Sequence, residues 1–172
     1  MLRKPIARAA LAVAFAVSGV SAQASQAQAS NATPGSSVIT LIGIPTSQTY
    51  VPVGSSPAAG DVITAVGNLT QAKNGKPYGT FAAKCTTMNL VSSTEADELC
   101  EETFTTLSGS QLSMQSRHNG PIGGTPPEFQ NSIYGGTREF SAVTGFADFR
   151  HITGDVVYIT VHLREVETHG TR

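Results

Sequence analysis

From Ser36 onward the chain is a succession of short runs rich in Val, Ile, Thr, Phe and Tyr, broken by clusters of Gly, Pro, Asn and Ser, with almost no helical periodicity. That pattern leaves little but β structure. Eight runs qualify as strands: 37–44, 61–69, 78–88, 98–107, 111–116, 129–134, 143–151 and 155–164. The links between them carry turn chemistry, with Asn74-Gly75, Ser108-Gly109-Ser110 and Thr153-Gly154, and links this short favour antiparallel neighbours. Alternation is clearest in the last run, where Val157, Ile159, Val161 and Leu163 share one face and Val156, Tyr158, Thr160, His162 and Arg164 the other. Eight such strands hide their edges by closing into a barrel or by splitting into two stacked sheets. Spacing alone does not choose, so an eight-stranded antiparallel β-barrel stands as the expectation and a two-sheet β-sandwich as its alternative.

Residues 1–22 read as a secretory signal, with Arg3, Lys4 and Arg8 ahead of an apolar stretch from Ala9 to Val20 and the small residues Val20-Ser21-Ala22 at its end. The stretch is shorter than the roughly 20 residues a membrane span needs. A secreted or periplasmic protein is expected, with a flexible Ala/Ser/Gln-rich leader over 23–35, a single β domain over 36–166 and a tail over 167–172. Cleavage removes three of the 11 Lys and Arg and none of the 12 Asp and Glu, leaving 8 against 12, a net −4. A mildly acidic surface argues against nucleic acid and anionic membrane as partners.

Cys85 and Cys100 enclose 14 residues, and an even count in an exported protein points to a disulfide. On the period-2 pattern Cys85 shares a side with Phe81 and Cys100 with Phe104, consistent with a bridge between neighbouring strands. Neither a C-x-x-C motif nor metal-ligand spacing is present, and the four histidines (118, 151, 162 and 169) read as ordinary surface or strand residues. No metal and no cofactor is expected.

The run S-I-Y-G-G-T-R-E-F-S-A-V-T-G-F-A, residues 132–147, resembles the G-G-T-G-x-F-x-x-A-x-G signature of dirigent proteins and allene oxide cyclase-like barrels, with Gly135, Gly136, Thr137, Phe140, Ala142 and Gly145 in order and spacing. The resemblance is specific there and looser over the rest of 37–164. It implies an eight-stranded antiparallel barrel, often trimeric, whose apolar cavity binds a small lipid or phenolic molecule. It also implies a partner oxidase if the chain acts as dirigent proteins do, by guiding radicals made elsewhere. Gly135, Gly136, Thr137 and Gly145 are read as architecture, glycine being the residue that tolerates positive φ where a strand turns and restarts. Where the signature has its next glycine this chain has Arg138, either a solvated cation or a guanidinium reaching over the cavity mouth to a carbonyl or carboxylate.

Orientation in an apolar pocket supplies most of what cyclisation, isomerisation or coupling requires, so the catalytic residues are hard to read. The polar candidates on otherwise apolar strands are Asp61, Glu101 or its neighbour Glu102, Arg138, Tyr158, and Asp148 with Arg150. The candidates for lining the cavity are Phe81, Phe104, Phe146 and Tyr158. No G-x-S-x-G nucleophile elbow is present, which argues against hydrolase chemistry.

Overall fold

The computed structural model describes residues 35–55, 57–122, 128–153 and 155–166. The stretches read above as a signal (1–22), a leader (23–35, except Gly35) and a tail (167–172) lie outside the described residues. Eight strands follow in order: β1 (Ser36–Val51), β2 (Val62–Gln71), β3 (Pro77–Leu90), β4 (Glu95–Thr106), β5 (Gln111–Pro121), β6 (Glu128–Gly136), β7 (Val143–Thr153) and β8 (Val156–Glu165). Each pairs antiparallel with the next, and β8 returns to β1, closing one barrel. Closure settles the barrel against the two-sheet alternative, because every strand has a neighbour on both sides. No helix among the described residues is long and apolar enough to cross a membrane.

The period-2 pattern decides what lies inside. Along β8, Ile159, Val161 and Leu163 are buried and face inward, while His162 and Arg164 face out. The two ends of the cylinder differ. At one end β1, β3, β5 and β7 begin and β2, β4, β6 and β8 finish. Here Leu41, Leu69, Leu112, Met114, Ile133, Val161 and Leu163 fill the interior, all at 5% exposure or less. At the other end the inward positions hold Gln48, Ile63, Glu98, His118, His151 and Val157, and the interior is hollow.

The Gly-Gly-Thr run at the filled end does different work from the one expected. Neither Gly135 nor Gly136 has positive φ. Gly136 is there for room: a Cβ on it would lie 2.5 Å from the Phe140 Cβ and 2.9 Å from the Gln111 carbonyl oxygen. That close approach lets the single 3-10 turn η1 (Arg138–Phe140) fold back and drive Phe140 into the core, where it is 6% exposed. Thr137 ties the turn down, its amide donating to the Gln111 carbonyl at 2.9 Å and its hydroxyl accepting from the Gln111 amide at 3.0 Å. The positive φ falls on Arg138, at 53°, the position where the signature has its third glycine. Gly145 also needs its freedom, with φ 147° and a Cβ position 1.9 Å from the His162 carbonyl oxygen.

The wall between β5 and β6 is the least complete. Backbone pairing runs only from Leu112 opposite Gly136 to Gln115 opposite Ser132, with a bulge between Ser113 and Met114. Toward the hollow end side chains carry the junction instead: His118 of β5 stacks on Phe129 of β6 with ring centroids 5.0 Å apart.

Candidate functional site

The hollow half contains a chamber of about 130 Å³ that opens into a vestibule of about 520 Å³ at the mouth. Gln48, Ile63 and Glu98 border both. The chamber is walled by Phe81, Phe104, Phe129, Phe149, Ile63, Val157 and Ile159. Its rings are ordered against one another: Phe129 and Phe149 lie parallel with centroids 4.7 Å apart, and Phe104 meets Phe149 edge to face at 6.3 Å. An engineered cavity of about 150 Å³ accommodates benzene, so the chamber is sized for roughly one aromatic ring. Anything larger extends into the vestibule.

The polar groups concentrate on one side. Strand β4 turns Ala96, Glu98, Cys100, Glu102 and Phe104 inward, and β5 adds Ser116 and His118. Asn131 of β6, fully buried, reaches past β5 and donates from Nδ2 to Glu102 Oε2 at 2.9 Å. The remaining surface of Glu102 faces the lumen. Removal from water pushes its carboxyl up to about 8, against the opposing pull of the Asn131 hydrogen bond, so at neutral pH it holds its proton. Burial also raises Glu98. Desolvation lowers His118, countered by nearby Asp97, and lowers His151, countered by Asp155, so both rings favour their neutral forms. Asn131 Oδ1 is the one buried side-chain oxygen or nitrogen among the described residues without a hydrogen-bond partner.

Cys85 and Cys100, directly opposed on β3 and β4, form the disulfide, on the lumen wall between Glu98 and Glu102. With both sulfurs joined, the trio Cys85, Glu98 and Cys100 offers a metal ion only one carboxyl. The bridge fixes two wall strands across a sequence separation of 15, a constraint worth about 3 kcal/mol in the chain-entropy model.

Of the residues singled out from sequence, Phe81 and Phe104 line the chamber. Phe146 and Tyr158 do not, because they sit one residue out of phase with the inward set. Phe146 stacks on His162 outside, centroids 4.5 Å apart, and Tyr158 lies beneath the Arg150 guanidinium at 5.5 Å. Asp148 faces out as well, paired with His162 at 3.3 Å and accepting from Gln130 at 2.8 Å. Glu101 is exposed and its neighbour Glu102 faces in. Arg138 is at the filled end, exposed and donating to the Ser108 carbonyl across the β4–β5 turn, which fits the solvated reading of this residue and not the one that had it reach over the cavity mouth. Asp61 borders the vestibule and is 2% exposed. Its carboxylate accepts from the Tyr50 hydroxyl at 2.5 Å, the Val53 amide at 2.7 Å and the Ala58 amide at 2.9 Å, pinning the β1–β2 connection at the mouth.

Phe129, Phe149, Asn131 and the lumen-facing histidines 118 and 151 were not anticipated. One signal was available for the acids: Glu98 and Glu102 have the same parity as Cys100 and Phe104, which the period-2 pattern had already placed together.

No protein-family model matches the sequence, and no curated protein matches it either. Solved structures do share its fold. A pyocyanin demethylase superposes with a TM-score of 0.63 at 20% identity, over 74% of this chain and 99% of that one. A pterocarpan synthase dirigent protein gives 0.57 at 16% identity, over 85% of this chain and 100% of that one. A Diels-Alderase from Streptomyces koyangensis gives 0.55 at 18% identity, over 80% of this chain and 68% of that one. At these identities the likeness shows that the chain shares its barrel fold with these proteins.

Proposed function

We propose that the chain is an exported barrel protein that binds a small hydrophobic, ring-containing molecule in its lumen and steers it through an isomerising, cyclising or coupling reaction. The observation that carries this is a ring-sized aromatic chamber, open at one end, with a carboxylic acid kept protonated at neutral pH in its wall. Phe81, Phe104, Phe129 and Phe149 hold a planar group in one pose, which supplies orientation. Glu102, steadied by Asn131, offers a proton to a carbonyl, hydroxyl or ring nitrogen of the bound molecule. The solved neighbours are named as a demethylase, a dirigent synthase and a Diels-Alderase, which supports small-molecule chemistry in this fold. The disulfide on the lumen wall suits an oxidising compartment and so supports export.

The test is native mass spectrometry and fluorescence titration of the purified protein against a panel of phenolic, polycyclic aromatic and lipid probes. Micromolar binding of aromatic members, weakened at least tenfold by Phe149→Ala, is the expected result. No binding anywhere in the panel sinks the reading, and binding untouched by Phe149→Ala moves it out of the lumen.

A further inference from the structure

The lumen has a charge character that its apolar walls conceal. Among the described residues, no Lys or Arg borders the chamber or the vestibule. Strand parity sends the cations outward: Lys84 and Arg164 are exposed, Arg117 pairs with Asp97, and Arg150 covers Tyr158 on the outer wall. Among the described residues, the titratable groups that face the interior are Glu98 and Glu102 from β4, His118 from β5, His151 from β7, Asp155 from the β7–β8 turn and, at the vestibule, Tyr50 and Asp61. Strands β2, β6 and β8 contribute none, and the β3 cysteine is in the disulfide. Around them stand four phenylalanine rings, whose faces are electronegative. A carboxylate brought into this space meets no counter-charge and several acids. A delocalised aromatic cation meets an aromatic wall and a carboxyl able to become its counter-ion.

We propose that the lumen is charge-selective, taking planar aromatic molecules that carry or acquire a positive charge and rejecting those that bear a carboxylate. This rests on the lumen-binding reading above and narrows its substrate class. The proton balance is simple. A ligand that arrives as a permanent cation displaces the Glu102 proton to solvent, leaving a carboxylate beside the cation; a ligand that arrives as a neutral base takes that proton itself, giving the same ion pair with none released. At pH 7 Glu102 holds its proton, so the permanent cation must drive it off, and its affinity rises with pH until the group is ionised in the free protein near pH 8.

Three probes of one shape separate the cases: 10-methylacridinium, acridine and acridine-9-carboxylate, titrated by fluorescence into the full chain from pH 6 to pH 9.5. The expected order at pH 8 is cation, then neutral parent, then carboxylate, with at least 100-fold between the first and last. Cation affinity is expected to climb up to about tenfold per pH unit below pH 8 and then level off, as release of one proton requires. Calorimetry at pH 7 in two buffers of different ionisation enthalpy is expected to report that proton. Glu102→Gln removes the slope and weakens the cation at least tenfold, while Glu98→Gln leaves the slope near pH 8 in place; thermal melts confirm that both variants fold. A carboxylate that binds as well as the cation, or a cation affinity flat with pH, overturns the charge inference while acridine binding leaves the lumen reading standing. Failure of all three probes overturns both.

Discussion

The two ends of this barrel are built from the same eight strands and do opposite things. At the filled end the inward layer of Leu41, Leu69, Leu112, Met114, Ile133, Val161 and Leu163 is apolar, and the turn after β6 folds Phe140 back as a plug. At the hollow end the inward positions mix phenylalanine and aliphatic residues with Glu, His and Gln, and the β1–β2 connection is tied to Asp61 by hydrogen bonds from Tyr50, Val53 and Ala58. Tight packing at one end supports stability, so the other can tolerate a cavity and a desolvated acid, both of which work against it. Function is expected where the fold gives up packing.

Titration of the acid is where that contrast shows most. In the fold Glu102 keeps its proton up to about pH 8, against 4.5 as its ordinary value. Between those two values the folded state holds a proton the unfolded chain has released. The stability contributed is therefore complete below the lower value, is lost at about 1.4 kcal/mol per unit between the two, and is gone once pH has passed the upper one. Glu102→Gln does not titrate, so it should be roughly 3–5 kcal/mol more stable than the parent at pH 8.5 and nearly equal to it at pH 4. Denaturant melts across that range measure the difference, with a residual slope expected from Glu98, which shifts in the same direction. Parallel stability curves for parent and variant would mean that Glu102 is solvated in the fold, and the hollow end would lose its acid.

Truncation of neighbouring apolar residues on one strand sharpens the contrast on a smaller scale. Leu69 and Ile63 are both inward residues of β2, six positions apart, the first 1% exposed in the filled end and the second bordering the chamber. Leu69→Ala should cost about 3 kcal/mol, because it leaves a void that its neighbours cannot close. Ile63→Ala only enlarges a space already present and should cost less than about 2 kcal/mol. Equal losses would show the chamber to be packed as tightly as the core.

Much of this was legible in the sequence. Eight runs with turn chemistry between them matched the strand count, the even cysteine count pointed to the Cys85–Cys100 bridge, and period-2 alternation separated the two faces of β8. The lumen side of each strand was legible only where one face is uniformly apolar, as in β8. In β7 phenylalanine stands on both faces, at 146 and 149, and composition cannot say which ring is inside. In β4 the pattern EADELCEETF has acids on both faces, so Glu101 and Glu102 differ only by a parity that Cys100 and Phe104 fix. The Asn131 bond to Glu102 was out of reach altogether, since it joins β6 to β4 across an intervening strand.

The glycine pair closes the comparison, because it shows what the filled end requires. Adjacent and identical, Gly135 and Gly136 differ in their surroundings: a Cβ on the first meets nothing within 4 Å, and a Cβ on the second collides with Phe140 and the Gln111 carbonyl. Neither is held at positive φ, so the backbone conformation of both is open to alanine. Gly135→Ala should therefore be neutral or stabilising by about 0.4–1 kcal/mol, through the smaller entropy of the unfolded chain. Gly136→Ala should destabilise by about 1–3 kcal/mol, as overpacking does when backbone rather than a flexible side chain stands in the way. The same substitution should loosen the Phe140 plug, read as faster amide exchange at Thr137 and Phe140, whose N–H groups bond to Gln111 and Thr137. If the two alanine variants melt together, the plug is not what closes this end, and the packed layer of Leu112, Met114 and Leu163 does so unaided.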